Sequence, residues 1–149
     1  MSRIGSEVIV NSQKQFDQSL GQVARLANGG FVVTWVDWAS TIDATVADGS
    51  WSAIKAQVYS AAGMPVGREL QVNTATLNWQ QDPRVTALAG GRFVVTWTDG
   101  WDYFSYADHP GSQGVGGAGG DVWGKAIKAQ VFQADGTPVG SEIRVNATQ

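Results

Sequence analysis

The segment VARLANGGFVVTWVD, residues Val23–Asp37, returns later in the same chain as VTALAGGRFVVTWTD, residues Val85–Asp99. A second segment repeats in the same order, because IKAQVYSAAGMPVGRELQVN (Ile54–Asn73) returns as IKAQVFQADGTPVGSEIRVN (Ile127–Asn146). The opening GSEVIVN, residues 5–11, is a third copy of the closing part of that second segment. Internal repetition of this kind is the sequence signature of an array of similar structural units.

Each repeat unit reads as four short β-strands. FVVTW is a β-branched run with apolar residues on both faces, which is typical of an inner strand covered on both sides. The NGG and AGGR segments before it, and AAGMP and ADGTP after the third strand, supply glycine and proline for tight turns. Four antiparallel strands in up-and-down order, repeated, predict an all-β fold of β-propeller-like blades, two per chain.

The repeats also predict the domain organisation. We expect a single all-β domain over residues 1–149, with unit 1 at about 12–73, unit 2 at about 74–146 and an extra closing strand at 5–11. A propeller typically has about four to eight blades, so two blades would need copies of the chain to complete the ring. A trimer is the first expectation and a dimer the second, and a compact pair of packed sheets is the alternative.

The run GGFVVTW, then I-x-A-Q-V-[YF], then G-x-P-V-G-x-E-x-x-V-N, resembles a repeat of bacterial RTX or hemolysin-type secreted calcium-binding proteins and adhesins. The resemblance covers nearly all of the chain except the segments between Trp35 and Ile54 and between Trp97 and Ile127. It implies export and an extracellular location. It implies a scaffold more than an activity, because such repeats serve in proteins of many functions.

Composition argues against several classes of function. The formal net charge is −3 and no run of Lys and Arg occurs, so we expect neither a nucleic-acid partner nor insertion into a membrane. The chain has no cysteine and a single histidine, which argues against a zinc site. That histidine, His109, precedes a proline and reads as a turn residue, and no nucleophile motif occurs. We therefore expect the protein not to be an enzyme.

The glycine-rich segment GGAGGDVWG, residues Gly116–Gly124, matches the calcium-binding nonapeptide G-G-x-G-x-D-x-U-x. It occurs once, whereas a β-roll completes each calcium site with a neighbouring turn, so we interpret it as a flexible loop tip. On this interpretation folding requires no cofactor. The alternative is a single calcium ion held by loop carboxylates, for which the candidate ligands are Asp121, Asp99, Asp102 and Asp108.

The two segments that differ between the units are where we expect function. Asp37 and Asp99 occupy equivalent positions just past the inner strand, and a tryptophan closely follows each. An aromatic ring can stack on a sugar while a carboxylate accepts its hydroxyls, so this pattern predicts a lectin-like or adhesion module that binds a glycan through exposed loop residues. The predicted ligand-binding residues are Asp37, Trp38, Trp51, Asp99, Trp101, Asp102, Tyr103 and Trp123. The alternative is a non-catalytic structural or assembly module whose loop aromatics pack against the sheets or a neighbouring chain.

Overall fold

The computed structural model describes residues 7–12, 17–38, 52–74, 76, 79–100 and 125–146. The strands in these ranges are β1 (Gln18–Arg25), β2 (Phe31–Asp37), β3 (Ala53–Tyr59), β4 (Pro65–Gln71), β5 (Gln80–Ala87), β6 (Phe93–Gly100), β7 (Lys125–Phe132) and β8 (Pro138–Arg144). They form two four-stranded antiparallel sheets, sheet 1 (β1–β4) and sheet 2 (β5–β8), which confirms the all-β prediction. The same ranges contain no helix of the length and hydropathy needed to cross a membrane.

Each sheet is a meander in which every strand pairs only with its neighbours in sequence. The turn between β1 and β2 requires glycine, because a Cβ at Gly30 would lie 2.3 Å from the carbonyl oxygen of Tyr59. Leu26 closes this turn by donating its backbone N–H to the Gly30 carbonyl at 2.8 Å. Leu88 closes the equivalent turn of sheet 2 by donating to the Arg92 carbonyl at 2.7 Å, so the two sheets share one local construction.

A β-bulge interrupts the pairing of β3 with β4, and an equivalent bulge interrupts the pairing of β7 with β8. Gln57 Nε2 donates to the carbonyl oxygens of Val58 and Val66 at 2.9 and 3.2 Å. Gln130 makes the equivalent pair of bonds to β7 and β8 at 2.9 and 3.3 Å. The glutamine of each IxAQV segment therefore satisfies backbone oxygens that the bulge removes from the regular ladder.

The two faces of each sheet carry different side chains. The aromatic face consists of Phe31, Val33, Trp35 and Tyr59 in sheet 1, and of Phe93, Val95, Trp97 and Phe132 in sheet 2. The aliphatic face consists of Val32, Thr34, Val36, Ile54, Ala56 and Val58 in sheet 1, and of Val94, Thr96, Thr98, Ile127, Ala129 and Val131 in sheet 2. Apolar residues on both faces mean that each sheet buries its full apolar surface only between two neighbours.

The aliphatic face of sheet 1 packs against the aromatic face of sheet 2. The cluster of buried core residues joins Leu26, Val32, Val36, Ile54, Ala56, Val58 and Val72 to Phe93, Val95, Trp97 and Phe132. Phe93 and Phe132 stack with their ring centroids 5.2 Å apart. One kind of face therefore meets the other kind, and the stack runs head to tail rather than about a two-fold axis.

The two sheets pack more closely at their first strands than at their last. The first strand of sheet 2, β5, lies against β1, β2 and β3. At the outer strands a groove of about 430 Å³ lies between β4 and the β7–β8 pair, and its lining includes Arg68, Leu70, Gln130, Phe132 and Pro138. The stacked pair therefore has the shape of a wedge.

The N-terminal copy of the closing segment does not form the predicted strand in its described part. Residues 7–12 belong to neither sheet. The copies that end at Asn73 and Asn146 each include residues of the last strand of their unit, which pairs with the third strand of that unit. No described strand pairs with residues 7–12 in this way. Without that partner strand, the side chains of Val8 and Ile9 are exposed.

We expect Asn73→Ala to lower the free energy of unfolding by about 1–3 kcal/mol, because it leaves a buried backbone N–H without an acceptor. Asn73 is buried and its Oδ1 accepts the Ile54 N–H at 2.8 Å. Asn146 Oδ1 accepts the Ile127 N–H at 2.7 Å at an exposed position, so Asn146→Ala is the matched control. Urea unfolding of both variants checks this, and an equal loss in the two would contradict it.

Candidate functional site

Asp37 and Asp99 lie at the ends of the second strands and not in exposed loops. Asp37 is the last residue of β2, and Asp99 is the penultimate residue of β6. Both are buried. The backbone N–H of Gly100 donates to the Trp79 carbonyl at 3.0 Å, and the equivalent bond follows Asp37. The expected exposure of the two carboxylates is therefore wrong, because strand pairing continues through their positions.

Sheet 2 holds Asp99 in a buried ionic network. Lys128 Nζ lies 2.7 Å from Asp99 Oδ2 and 2.7 Å from Glu142 Oε1. Lys128 pairs with Trp97 across β6 and β7, on the aromatic face that sheet 1 covers. The network thus lies between the sheets, where a charge is tolerated only when it is paired.

Thr74, which follows the last strand of sheet 1, binds this network. Its backbone N–H and its hydroxyl both donate to Glu142 Oε2 at 2.9 Å. Glu142 therefore holds Lys128 with one oxygen and Thr74 with the other. Ser52 adds a second polar link between the sheets, since its Oγ donates to the Gln80 carbonyl at 2.9 Å and accepts the Gln80 N–H at 2.8 Å. These bonds define how sheet 1 is placed along sheet 2.

Two buried polar atoms beside the network form no hydrogen bond with the part of the chain that the structure describes. They are Asp99 Oδ1 and Trp97 Nε1. A buried polar atom without a partner costs about 1–3 kcal/mol. The Asp99 carboxylate therefore depends on the Lys128 ammonium for its compensation.

The network changes the pKa values of its members. Burial alone would lower the pKa of Lys128, but the hydrogen bonds and charges of Asp99 and Glu142 outweigh it and raise that pKa above its ordinary 10.5. Burial alone would raise the pKa of Glu142, but hydrogen bonds from Lys128 and Thr74 lower it below the ordinary 4.5. Both groups are thus held in their charged forms across the neutral range.

Sheet 1 carries the same residue types on its aromatic face but joins them differently. Glu69 Oε2 accepts the backbone N–H and the hydroxyl of Ser12 at 2.8 and 2.7 Å, as Glu142 accepts those of Thr74. Lys55 Nζ donates to Gln71 Oε1 at 3.3 Å. Within the described ranges no ion pair joins Lys55 to a carboxylate. Sheet 1 therefore has the contact between glutamate and hydroxyl, but its lysine does not pair with a carboxylate in the described ranges as Lys128 does.

Trp38 is engaged within the protein. Its indole Nε1 donates to Ser19 Oγ at 2.8 Å. Its ring meets Trp79 edge to face with centroids 6.1 Å apart, and it packs against the core. These contacts anchor Trp38 to the protein directly after β2. Packing of this tryptophan against the sheets is what the alternative of a structural or assembly module predicts.

Most of the predicted ligand and metal residues lie outside the described ranges; they are Trp51, Trp101, Asp102, Tyr103, Asp108, Asp121 and Trp123. In the ranges that are described, no three residues of the metal-ligating types come together. Asp99, a predicted ligand for both a glycan and calcium, has Lys128 as its counter-ion. The glycan and calcium sites stay predictions.

Sequence reasoning missed Lys128, Glu142 and Thr74. A signal was available in the segments GSEVIVNS and GRELQVNT. Both contain a glutamate at the third position and a residue with a hydroxyl group directly after the Val-Asn pair. A charged residue that recurs inside a predicted strand is a candidate for a contact between units, because strand positions otherwise face a neighbouring sheet or water.

We expect Lys128→Met to lower the free energy of unfolding by about 3–5 kcal/mol, because it leaves the buried Asp99 carboxylate without its counter-ion. The matched control is Lys55→Met at the equivalent position, which is half-buried and forms no ion pair in the described ranges. The control should cost about 0.5 kcal/mol or less. Chemical unfolding followed by tryptophan fluorescence measures both, and similar losses would contradict the assigned role of the network.

The network also predicts how stability depends on pH. Because the folded-state pKa of Glu142 is lowered, its stabilisation is present above the ordinary pKa of 4.5 and is lost as the pH falls through the folded value. The raised pKa of Lys128 gives stabilisation that is present below 10.5 and is lost as the pH rises through its folded value. Glu142→Gln should therefore flatten the acid limb of unfolding free energy against pH. An unchanged acid limb would show that Glu142 is not held as described.

No family model matches the chain, and no curated protein or solved structure matches it either. The resemblance to repeats of secreted RTX-type proteins therefore remains a prediction that rests on the GGFVVTW, IxAQV and GxPVGxExxVN segments.

Proposed function

We propose that this protein is a non-catalytic structural and assembly module, whose sheets stack on further sheets of the same type. The observation that carries the proposal is a difference in burial between equivalent positions. The aliphatic face of sheet 1 is covered by sheet 2, whereas the aliphatic face of sheet 2 presents the same residue types to solvent.

Equivalent residues give the size of this difference. Ile54 is 0% exposed in sheet 1 and its counterpart Ile127 is 40% exposed in sheet 2. Val72 is 1% exposed, and its counterpart Val145 is 59% exposed. Ile143, on the same face, is also exposed. A contiguous apolar face that is buried in one repeat and open in the next is a strong indication of a further partner sheet.

The wedge shape supports a ring over a straight stack. Sheets that pack more closely at their first strands than at their last are rotated about a common axis, and this is how the blades of a propeller are arranged. Two propeller-like blades per chain would give six blades in a trimer, our first choice, and four in a dimer, the second. The RTX-like repeats suggest that such a ring works in a secreted, extracellular protein.

The described residues favour assembly over carbohydrate binding. The two aspartates of the glycan hypothesis are buried, and Trp38 is held by Ser19 and Trp79. A glycan site, or a calcium site, would have to be built from the loop residues outside the described ranges. A glycan array and thermal melts with calcium and with chelator test these additions to the proposed module.

We expect the wild-type chain to form a discrete oligomer at micromolar concentration and Ile143→Lys to be a folded monomer, because the lysine puts a charge on the apolar contact face. Leu20→Lys is the matched control, since Leu20 is 47% exposed, close to the 51% of Ile143, and its counterpart Asp82 stays exposed in the sheet that is already covered. Native mass spectrometry measures the mass, and circular dichroism checks the fold. A monomeric wild type, or an Ile143→Lys variant that still assembles, would contradict the proposal.

A further inference from the structure

The N-terminal segment contacts sheet 1 as the end of sheet 1 contacts sheet 2. Ser12 donates its N–H and hydroxyl to Glu69 at 2.8 and 2.7 Å, and Thr74 donates the same two groups to Glu142 at 2.9 Å. In the repeat, Ser12 is equivalent to Thr74 and Glu69 to Glu142. Residues 7–12 therefore occupy, on sheet 1, the position that residues 69–74 occupy on sheet 2.

A second contact supports this equivalence. The Tyr59 hydroxyl donates to the Val10 carbonyl at 3.3 Å, and the Tyr59 ring stacks on Phe31 with centroids 4.9 Å apart. The equivalent stacked pair in sheet 2, Phe93 and Phe132, belongs to the core cluster that includes Val72. Val10 and Val72 are equivalent in the repeat, so both segments reach the aromatic face of the following sheet.

The hydrogen bonds that join Ser12, Val10 and Asn11 of the N-terminal segment to sheet 1 each involve a side chain. Besides the Ser12 and Tyr59 bonds, Asn11 Nδ2 donates to Gln18 Oε1 at 3.0 Å. By contrast, Val145 N–H donates to the Ile127 carbonyl at 2.8 Å and Ile127 N–H donates to Asn146, so the end of sheet 2 is fixed to its own third strand. A second chain would therefore present residues 140–144 as part of a paired strand, whereas residues 7–12 pair with no strand in the described ranges.

We propose that the aromatic face of sheet 1 is the docking surface for the aliphatic face of sheet 2 of a second copy, and that residues 7–12 occupy this surface until the incoming copy displaces them. The inference rests on the proposed assembly function and names its interface. The partner is a second copy because the internal stack already joins these two kinds of face. Docking would bury Lys55 between two sheets, as Lys128 is buried in the internal stack. Lys128 pairs there with Asp99 and Glu142, and the equivalent residues of sheet 1 are Asp37 and Glu69.

The contact between Gly136 and Leu70 supplies a test of the interface. A Cβ on Gly136 would lie 2.7 Å from Leu70 Cδ1 within the chain. The equivalent pair across the proposed interface is Gly63 of one copy and Ile143 of the other. Since the chain has no cysteine, Gly63→Cys combined with Ile143→Cys should form disulfide-linked oligomers under mild oxidation. Gly63 has φ +76°, a conformation that strains other residues, so circular dichroism and the melting temperature first check that the double variant is folded.

The single variant Ile143→Cys is the control for this crosslink. It should stay uncrosslinked, because a head-to-tail contact does not bring two copies of residue 143 together. Efficient dimers from the single variant would indicate a two-fold contact and overturn the inference. An uncrosslinked double variant in a chain that native mass spectrometry finds oligomeric would overturn it as well, while leaving the assembly function standing.

The displacement of residues 7–12 is tested in the full chain. Ser12→Glu places a like charge beside Glu69 and should release the segment, which tightens self-association by about two- to tenfold in sedimentation velocity. Tyr59→Phe gives sheet 1 the ring that sheet 2 already has and should act in the same direction. Thr74→Glu is the matched control, because it disturbs the internal contact and should lower the melting temperature without tightening association.

A synthetic peptide of residues 5–12 should weaken association of the Ser12→Glu protein by competing for the same surface. If Ser12→Glu misfolds, the same two measurements are made on Tyr59→Phe. Its association should be tighter than that of the wild type, and the peptide should weaken it. Weaker or unchanged association in the variants would overturn the displacement, since residues 7–12 would then help the contact or play no part in it. A wild type and variants that are all monomeric would instead contradict the proposed assembly function.

Discussion

Both faces of each sheet are apolar, and this constraint governs the rest of the structure. A sheet of this kind needs a neighbour on either side, because the hydrophobic effect acts on each face separately. In the part of the chain that the structure describes, the aliphatic face of sheet 1 satisfies it by meeting the aromatic face of sheet 2. The two remaining faces are complementary to each other. The same core that stabilises the chain thus creates the surfaces on which another sheet can stack.

The buried polar network gives this apolar contact a defined register. Hydrophobic faces alone allow sheets to slide or rotate, whereas Thr74 at the end of sheet 1 gives two hydrogen bonds to Glu142 of sheet 2, which fixes the placement of the two sheets. Lys128 holds that glutamate within sheet 2, because its ammonium also pairs with Asp99. A buried ion pair of this kind is weak evidence for added stability, and its best-attested use is to specify one arrangement.

The strands were predictable from sequence because their signals are local. Turn glycines such as Gly30 and the β-branched FVVTW runs act over a few residues, and the repeat showed them twice. The site was less predictable. The burial of Asp99 depends on which face of sheet 2 is covered, and its pairing with Lys128 depends on the register of two strands separated by a long segment. Neither quantity is a property of a short stretch of sequence.

The neighbour-only strand order also shapes how the chain folds. Each sheet pairs only strands that follow one another in sequence, so each meander can form before the sheets dock. Near-identical sheets then risk exchange between chains during docking. Ser52 distinguishes the intended order, because it binds Gln80 within the chain while its counterpart in sheet 2 is Lys125. A single small polar residue thereby distinguishes the contact of the aliphatic face of sheet 1 with a sheet 2 from the contact of the aliphatic face of sheet 2 with a sheet 1, which has lysine at this position.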